Sequence, residues 1–191
     1  MQTKEMILQE ARKVFEKFGF NKTSMADIAQ AARKGRRTLY MYFTSKEEVF
    51  KAVIEVEVKA VAEDLQKIIN SDLSPDEKLH AYMHSRMNAL KQLTMYYDAL
   101  RQDLMNNLGM IENLRKDYDE QEAGMIKTIL DEGVEKNVFA IENTAMVAKA
   151  LVLAIKGFEL PVYMGKAGLD HEQMIDPVMD LFYRGILKNK N

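Results

Sequence analysis

The sequence predicts an all-α fold of about nine helices, with a three-helix helix-turn-helix head followed by a helical body. Apolar residues recur with the 3.6-residue period of a helix through most of the chain. No convincing strand alternation is present, and only three prolines and nine glycines occur in 191 residues. We place the head at residues 1–46 and the body at residues 47–191.

The first two helices are marked by their ends. The first runs over about residues 4–18 on an apolar stripe, and Gly19 ends it. Thr23 or Ser24 then caps a short second helix, with Asp27 placed as the acid of a capping box. A third short helix follows at about residues 36–42.

Two further capping boxes begin the body. Ser45-Lys46-Glu47-Glu48 opens a long helix that ends near residue 69, and Ser74-Pro75-Asp76-Glu77 opens the next. The remaining predicted helices cover about residues 75–92, 95–107, 111–132, 144–164 and 171–188.

The composition is that of an ordinary globular chain, 47% hydrophobic and 29% charged. It contains no cysteine, which excludes disulfides and thiolate ligands. Charges interrupt the apolar positions near the N-terminus and the apolar stretch 144–160, so we expect neither a signal peptide nor a membrane span. We therefore expect a cytoplasmic protein with no membrane partner.

Charge is divided unevenly along the chain. The net charge is −2, yet residues 1–50 carry ten basic and six acidic side chains, and the remaining residues carry 17 and 23. A basic end on an acidic body is typical of a protein in which one part faces phosphate.

The third helix has the side chains that a DNA-contacting helix needs. Four cations stand at its N-terminal entry, and hydroxyl-bearing residues follow. They are Arg33, Lys34, Arg36, Arg37, Thr38, Tyr40 and Tyr42. Arginine there can bind guanine O6 and N7 in the major groove, and hydroxyls can hold phosphate oxygens. The alternatives are a solvated basic loop and amphipathic packing of the tyrosines.

Several elements of the first fifty residues also match a known pattern in order and without gaps. They are Ile7-Leu8-x-x-Ala11, Phe15-x-x-x-Gly19-Phe20-x-x-Thr23, Ile28-Ala29-x-x-Ala32, Thr38-Leu39-Tyr40-x-Tyr42-Phe43 and Ser45-Lys46-Glu47. At these residues the chain resembles the tetracycline-repressor (TetR) family. The resemblance implies a partner, double-stranded DNA, and roles for individual residues. Thr23 or Ser24, Thr38, Tyr42 and Lys46 would contact phosphates, and Arg36, Arg37 and Tyr40 would face bases.

The turn between the second and third helices departs from the family pattern. Arg33, Lys34 and Gly35 stand where the family has glycine, an aliphatic residue and serine, and Arg37 replaces a residue that is often glycine. Because glycine tolerates a positive φ and arginine does not, we expect Gly35 rather than Arg33 to adopt it.

The last two helices are more apolar than one chain can cover. Residues 144–160 are apolar nearly all round, so this helix must be covered on more than one side. In the family that the head resembles, the last two helices of each subunit form a four-helix dimer interface. We expect a homodimer of this kind; a fully intramolecular core is the alternative.

Fourteen methionines suggest an apolar cavity for a small-molecule effector. Methionine adapts its shape and suits mostly apolar sites that hold a few polar groups. The candidate lining residues are Met83, Met87, Tyr96, Arg101, Met105, Met125 and Phe158. Ordinary core filling is the alternative.

Nothing in the sequence points to a metal, a cofactor or an enzyme. His80 and His84 have the i, i+4 spacing of a metal site, and Glu77 lies one turn earlier. Without an HExxH pattern or a third strong ligand, we interpret them as a surface pair. No nucleophile triad, catalytic carboxylate pair or phosphate-binding glycine loop stands out.

Three hypotheses on function follow. The leading one is a ligand-responsive transcriptional regulator, a repressor that a small hydrophobic molecule releases from a palindromic operator. The second is a DNA-binding protein of the same fold with a role in chromosomes or division. The third is a helical small-molecule binder without DNA binding, and the four cations of the third helix count against it.

Overall fold

The computed structural model describes residues 3–96, 108–163 and 171–187, with side chains at 3–89, 118–157 and 175–187. Within these ranges the chain is all-α and forms no strand, which confirms the predicted fold class. The helices are α1 (Thr3–Phe18), α2 (Met25–Ala31), α3 (Arg36–Tyr42), α4 (Lys46–Ile69), α5 (Pro75–Tyr96), α6 (Leu108–Glu135), α7 (Thr144–Tyr163) and α8 (His171–Ile186).

The predicted helix boundaries agree with these bounds to within a few residues. α5 continues to Tyr96, past the predicted end near residue 92, and α6 extends about three residues beyond its prediction at each end. The predicted helix over 95–107 falls almost wholly outside the described residues. Among the described residues, no helix combines the length and the apolar character that a membrane crossing requires.

Capping side chains explain where three of the helices begin. Ser24 and Asp27 form the predicted reciprocal box at α2, with the Ser24 N–H donating to Asp27 Oδ2 at 2.8 Å. At α5 the Ser74 N–H donates to Glu77 Oε2 at 2.9 Å. At α4 Ser45 Oγ accepts from the Glu48 N–H at 3.2 Å as predicted, and the Glu48 carboxylate accepts from the N–H and hydroxyl of Thr44. Each bond satisfies a donor that the helix leaves unpaired.

The chain forms two compact units, the first built on Met1–Ala60 and the second on Val61–Gln92 with Glu112–Asn191. The first unit has a core of its own. Its buried residues are Ile7, Ala11, Phe15, Phe20, Ile28, Ala29, Ala32, Leu39, Phe43, Val49, Phe50 and Val53. The rings of Phe15 and Phe50 pack edge to face with their centroids 5.2 Å apart. This core extends into α4, beyond the predicted head at residues 1–46.

The second unit has a larger core that draws on α4 to α8. Its buried residues include Leu65, Ile69, Leu79, Tyr82, Met83, Met87, Ile126, Ile129, Leu130, Ala148, Val152, Ile155, Ile175 and Met179. Two ion pairs lie at its margin: Lys78 with Glu132 at 2.8 Å, and Arg86 with Glu122 at 2.6 Å. Both join α5 to α6, and both are shielded from solvent enough that losing one partner would leave a costly lone charge.

Candidate nucleic-acid interface

The turn between α2 and α3 is a helix C-cap motif that places Arg33 in the left-handed region. The Lys34 N–H donates to the carbonyl oxygen of Ala29 at 2.9 Å, and the Arg33 N–H donates to Gln30 at 3.0 Å. These are the 6→1 and 5→2 bonds of a Schellman motif, whose residue after the C-cap has a positive φ. Arg33 has φ 51°.

The prediction that Gly35 adopts the positive φ is therefore wrong. Gly35 has φ −64° and ψ 148°, the extended conformation of the residue that caps α3. The two terminal hydrogen bonds of α2 determine which residue must be left-handed, and they select the position that arginine occupies. The left-handed region costs a side-chain-bearing residue about 1–2 kcal/mol, which the surrounding motif must offset.

One face of α3 packs into the first core, and the opposite face is open to solvent. Leu39 is fully buried, whereas Tyr40 is 53% and Met41 77% exposed. Arg36 and Arg37 are exposed on the first turn. Since Arg37, Tyr40 and Met41 follow one another at i, i+3 and i+4, they share one face of the helix. The predicted base-facing residues Arg36, Arg37 and Tyr40 are thus accessible.

Met41 is the member of this surface that the sequence analysis missed. An apolar residue beside the buried Leu39 gives no signal of its own in a helix that must also pack. Its position two residues after the core contact turns it away from the core. Apolar side chains in the major groove contact the methyl group of thymine.

The turn adds to the positive charge of this surface. Arg33 is exposed, Lys34 and Thr38 are half-buried, and Tyr42 is 41% exposed. An acid beside Arg36 keeps its charge, since the hydroxyl and the N–H of Ser24, with a smaller effect of Arg36, lower the pKa of Asp27. Among the residues described here the charge remains predominantly basic.

Of the two residues predicted to contact phosphate before α2, Ser24 is the exposed one, and its hydroxyl donates to Asp27 Oδ2 at 2.6 Å. Thr23 is only 3% exposed, and its hydroxyl donates to the carbonyl oxygen of Gly19 at 2.6 Å. The Thr23 hydroxyl therefore stabilises the connection between α1 and α2 instead of projecting from it. Ser24 is exposed and is the N-cap residue of α2.

Lys46 makes contacts that the sequence did not suggest. Its ammonium donates to the carbonyl oxygen of Phe20 at 2.7 Å and lies 4.3 Å from the centroid of the Phe20 ring. This joins the start of α4 to the connection between α1 and α2. An ammonium has three N–H donors, so the contact with Phe20 leaves donors that could meet a phosphate.

The predicted effector-lining residues are only partly described. Met83 and Met87 are each 5% exposed in the second core, and Met125 packs against the same core. Tyr96, Arg101, Met105 and Phe158 lie outside the residues whose side chains are described. The structure thus brings three of the seven together around one core.

Two further features of the second unit bear on ligand binding. Tyr82 is fully buried beside these methionines, and among the described residues its hydroxyl has no hydrogen-bond partner. Burial, with a smaller contribution from Glu122, raises the pKa of this phenol far above its ordinary value, so the group is a neutral donor. Separately, Gln66 of α4 and Met125 and Thr128 of α6 line a groove of about 380 Å³.

A short helix pair with an exposed basic face, built on its own apolar core, has the architecture of a helix-turn-helix DNA-binding domain. Residues 7–53 match the family described as bacterial regulatory proteins, tetR family. This match, over about a quarter of the chain, confirms the resemblance to the TetR family found in the sequence.

The similarity to known proteins extends over nearly the whole chain. The HTH-type transcriptional regulator YvaF of Bacillus subtilis is 25% identical over 191 residues, covering 94% of this chain and 93% of YvaF. A TetR-family regulator from Pectobacterium atrosepticum superimposes with a TM-score of 0.79 at 22% identity, over 99% and 96% of the two chains. A transcriptional regulator from Saccharomonospora viridis, solved with choline, gives 0.74 at 17% identity, over 97% and 98%.

Proposed function

We propose that this DNA-binding regulator is a ligand-responsive repressor. In this proposal a homodimer binds a palindromic operator through α3, and a small hydrophobic molecule bound in the second unit releases it. The observation that carries the proposal is the exposed face of α3, on which Arg36, Arg37 and Tyr40 stand clear of the core. Arginine in this position reads guanine, and sequence reading is what an operator-binding repressor requires.

The experiment on base reading compares selected DNA with random DNA. A palindromic duplex is first selected from a random pool with the full chain. Arg36→Ala and Arg37→Ala are expected to weaken binding to this duplex by about 1–3 kcal/mol each and to relax its sequence preference. Arg36→Lys and Arg37→Lys are the matched controls, since lysine keeps the charge and loses the bidentate fork. Equal losses on selected and random DNA would assign the arginines to phosphate contacts.

The proposed dimer rests on apolar faces that the second core does not cover. α7 buries Leu151, Val152 and Ile155 in the second core, yet Leu153 of the same helix is 67% exposed. α8 buries Ile175 and Met179 and leaves Leu181 73% exposed. Exposed leucines on two helices that already bury their other faces favour a second copy of the chain as the cover, because homodimer interfaces are apolar and self-complementary.

Charge substitutions test this interface. Leu153→Glu and Leu181→Glu are expected to shift the chain from twice its mass to its own mass in sedimentation and to weaken binding to the palindrome. Leu73→Glu is the matched control, since Leu73 is also exposed, at 41%, but lies between α4 and α5. A wild-type chain that sediments as a monomer and still binds the palindrome tightly would contradict the dimer.

The proposed effector site is the interior around Tyr82, Met83 and Met87. Methionines provide adaptable apolar walls, and a buried phenol hydroxyl with no partner among the described residues is costly unless an acceptor takes its hydrogen bond. A ligand with an apolar body and one hydrogen-bond acceptor fits this chemistry. The regulator from Saccharomonospora viridis was solved with a small molecule, choline, which supports a ligand-binding role for a fold of this kind.

α4 offers a route by which such a ligand would act on DNA binding. Its first residue is Lys46, its early turns belong to the first core, and Leu65 and Ile69 at its end belong to the second. Ligand and DNA would then weaken each other reciprocally, with a coupling of about 1–3 kcal/mol.

Uncharged aromatic ketones and medium-chain fatty acids are suitable probes of the effector site. A probe that raises the melting temperature is titrated into the complex with the palindrome, and we expect it to release the DNA. Tyr82→Phe should weaken binding of the probe and leave the affinity for DNA unchanged. Probes that stabilise the protein and leave the DNA affinity unchanged would contradict a switch.

A further inference from the structure

Three potential metal ligands from two helices meet on the surface of the second unit. His80 and His84 lie one turn apart on α5, and their ring centroids are 4.5 Å apart. Asp176 of α8 places Oδ1 3.2 Å from the Nε2 of His80 and 2.7 Å from the Nε2 of His84. One ligand atom from each of the three residues can be chosen so that all lie within 4.8 Å of one another.

The sequence showed the histidine pair but supplied the wrong candidate for a third ligand. Glu77, one turn before His80, is engaged elsewhere, because its carboxylate accepts from the N–H and hydroxyl of Ser74. Asp176 is 92 residues from His84 along the chain, and only the packing of α8 brings it to the pair. The sequence therefore showed His80 and His84 as a surface pair without Asp176, the third potential ligand.

We propose that His80, His84 and Asp176 bind Zn²⁺ or a neighbouring first-row divalent cation. Two imidazoles and one carboxylate form a donor set that suits Zn²⁺ and its first-row neighbours, whereas Mg²⁺ and Ca²⁺ prefer oxygen ligands alone. Ligand atoms bonded to a tetrahedral zinc at 2.0–2.1 Å are about 3.4 Å apart. The distance of 3.2 Å from His80 Nε2 to Asp176 Oδ1 is close to this. The distance of 2.7 Å from His84 Nε2 to the same oxygen must lengthen by about 0.7 Å, which rotation of the exposed Asp176 side chain allows.

The exposure of the cluster determines what kind of site this is. His80 and Asp176 are exposed and His84 is half-buried, so water completes the coordination and the ion exchanges with solvent. The ion would link α5 to α8, two helices that already share the second core through Leu79 and Ile175. A cation held only by the folded arrangement stabilises it, so binding raises the melting temperature.

The test is a titration of the full chain with zinc. Calorimetry measures the binding, and thermal unfolding measures the change in melting temperature. We expect one Zn²⁺ per chain and a higher melting temperature, and Co²⁺ in place of zinc should give the visible absorption of a low-symmetry site. His80→Gln, His84→Gln and Asp176→Asn should each weaken binding by at least the ~10-fold that losing an outer-shell partner costs. Circular dichroism shows whether each variant remains folded.

Two variants serve as matched controls. His171→Ala removes the third of the chain's three histidines, and Asp72→Asn removes an exposed aspartate between α4 and α5. Both should bind zinc as the wild type does. The proposal is overturned if zinc leaves the melting temperature unchanged, if the cluster variants bind as tightly as the wild type, or if a control variant loses as much affinity as they do.

Discussion

The Lys34 N–H reaches back to the carbonyl oxygen of Ala29 at 2.9 Å, and this bond closes only because Arg33 adopts a φ of 51°. The last turn of α2 thus determines the direction in which the chain enters α3. An arginine at this position combines a strained backbone with a cation at the entry to α3.

Replacing Arg33 by glycine should stabilise the protein. Arg33→Gly relieves the left-handed strain and should raise the free energy of unfolding by about 1 kcal/mol, measured by thermal denaturation of the full chain. Arg33→Ala is the control, since it removes the same cation and keeps the Cβ atom. Both variants should lose affinity for random DNA equally. Equal melting temperatures for the two variants would show that the turn carries no strain.

Replacing Lys46 should reduce both stability and DNA binding. Lys46→Ala removes the hydrogen bond to Phe20 and the contact with its ring, so we expect a loss of about 1–2 kcal/mol in stability. If a remaining N–H also meets a phosphate, the slope of log affinity against log salt falls by about one.

The control for Lys46 is Lys22→Ala, which removes an exposed lysine from the connection between α1 and α2. It should leave the melting temperature unchanged. If Lys46→Ala melts like the wild type but binds DNA weakly, the side chain contributes to a phosphate contact and not to stability.

Two glycines of α6 should respond to alanine in opposite directions. A Cβ atom at Gly133 would overlap the ring of the buried Phe139, whereas one at Gly124 meets nothing within 4 Å. Gly133→Ala should therefore destabilise the protein by about 1–3 kcal/mol. Gly124→Ala should stabilise it by about 0.5–1 kcal/mol, because alanine loses less entropy in a helix. Denaturant unfolding measures both variants. If both are more stable than the wild type, or both less stable, this packing is contradicted.

The capping box of α2 should make part of the stability dependent on pH. Hydrogen bonds from Ser24 lower the pKa of Asp27 below its ordinary value of 3.8. A carboxyl group with a lowered folded-state pKa contributes stability above the unfolded value, and this is lost as the pH falls through the folded value. Asp27→Asn should therefore melt below the wild type near neutral pH, and the gap should close in acid.

The control for Asp27 is Asp72→Asn, which removes an exposed aspartate between α4 and α5. Its melting temperature should follow that of the wild type across the same pH series. If the difference in melting temperature between Asp27→Asn and the wild type stays constant down to pH 2, the loss comes from altered hydrogen-bond geometry and not from the missing charge.

The helices and the composition of the exposed face of α3 could be predicted from the sequence because their causes are local. An apolar stripe, a capping serine and an acid three residues later act within one or two turns, so α1, α2 and α5 begin close to where their residues predict. The exposed Arg36, Arg37 and Tyr40 follow from the same periodicity, since Leu39 must be the buried position.

Tertiary structure alone decided which atoms of that surface are free and which residues meet. Thr23 and Lys46 donate to the carbonyls of Gly19 and Phe20, and neither contact can be inferred from a residue type. Asp176 reaches His84 across 92 positions because α5 and α8 pack on one core. Local periodicity specifies which face of a helix is buried, whereas the partner it meets depends on the packing of the whole unit.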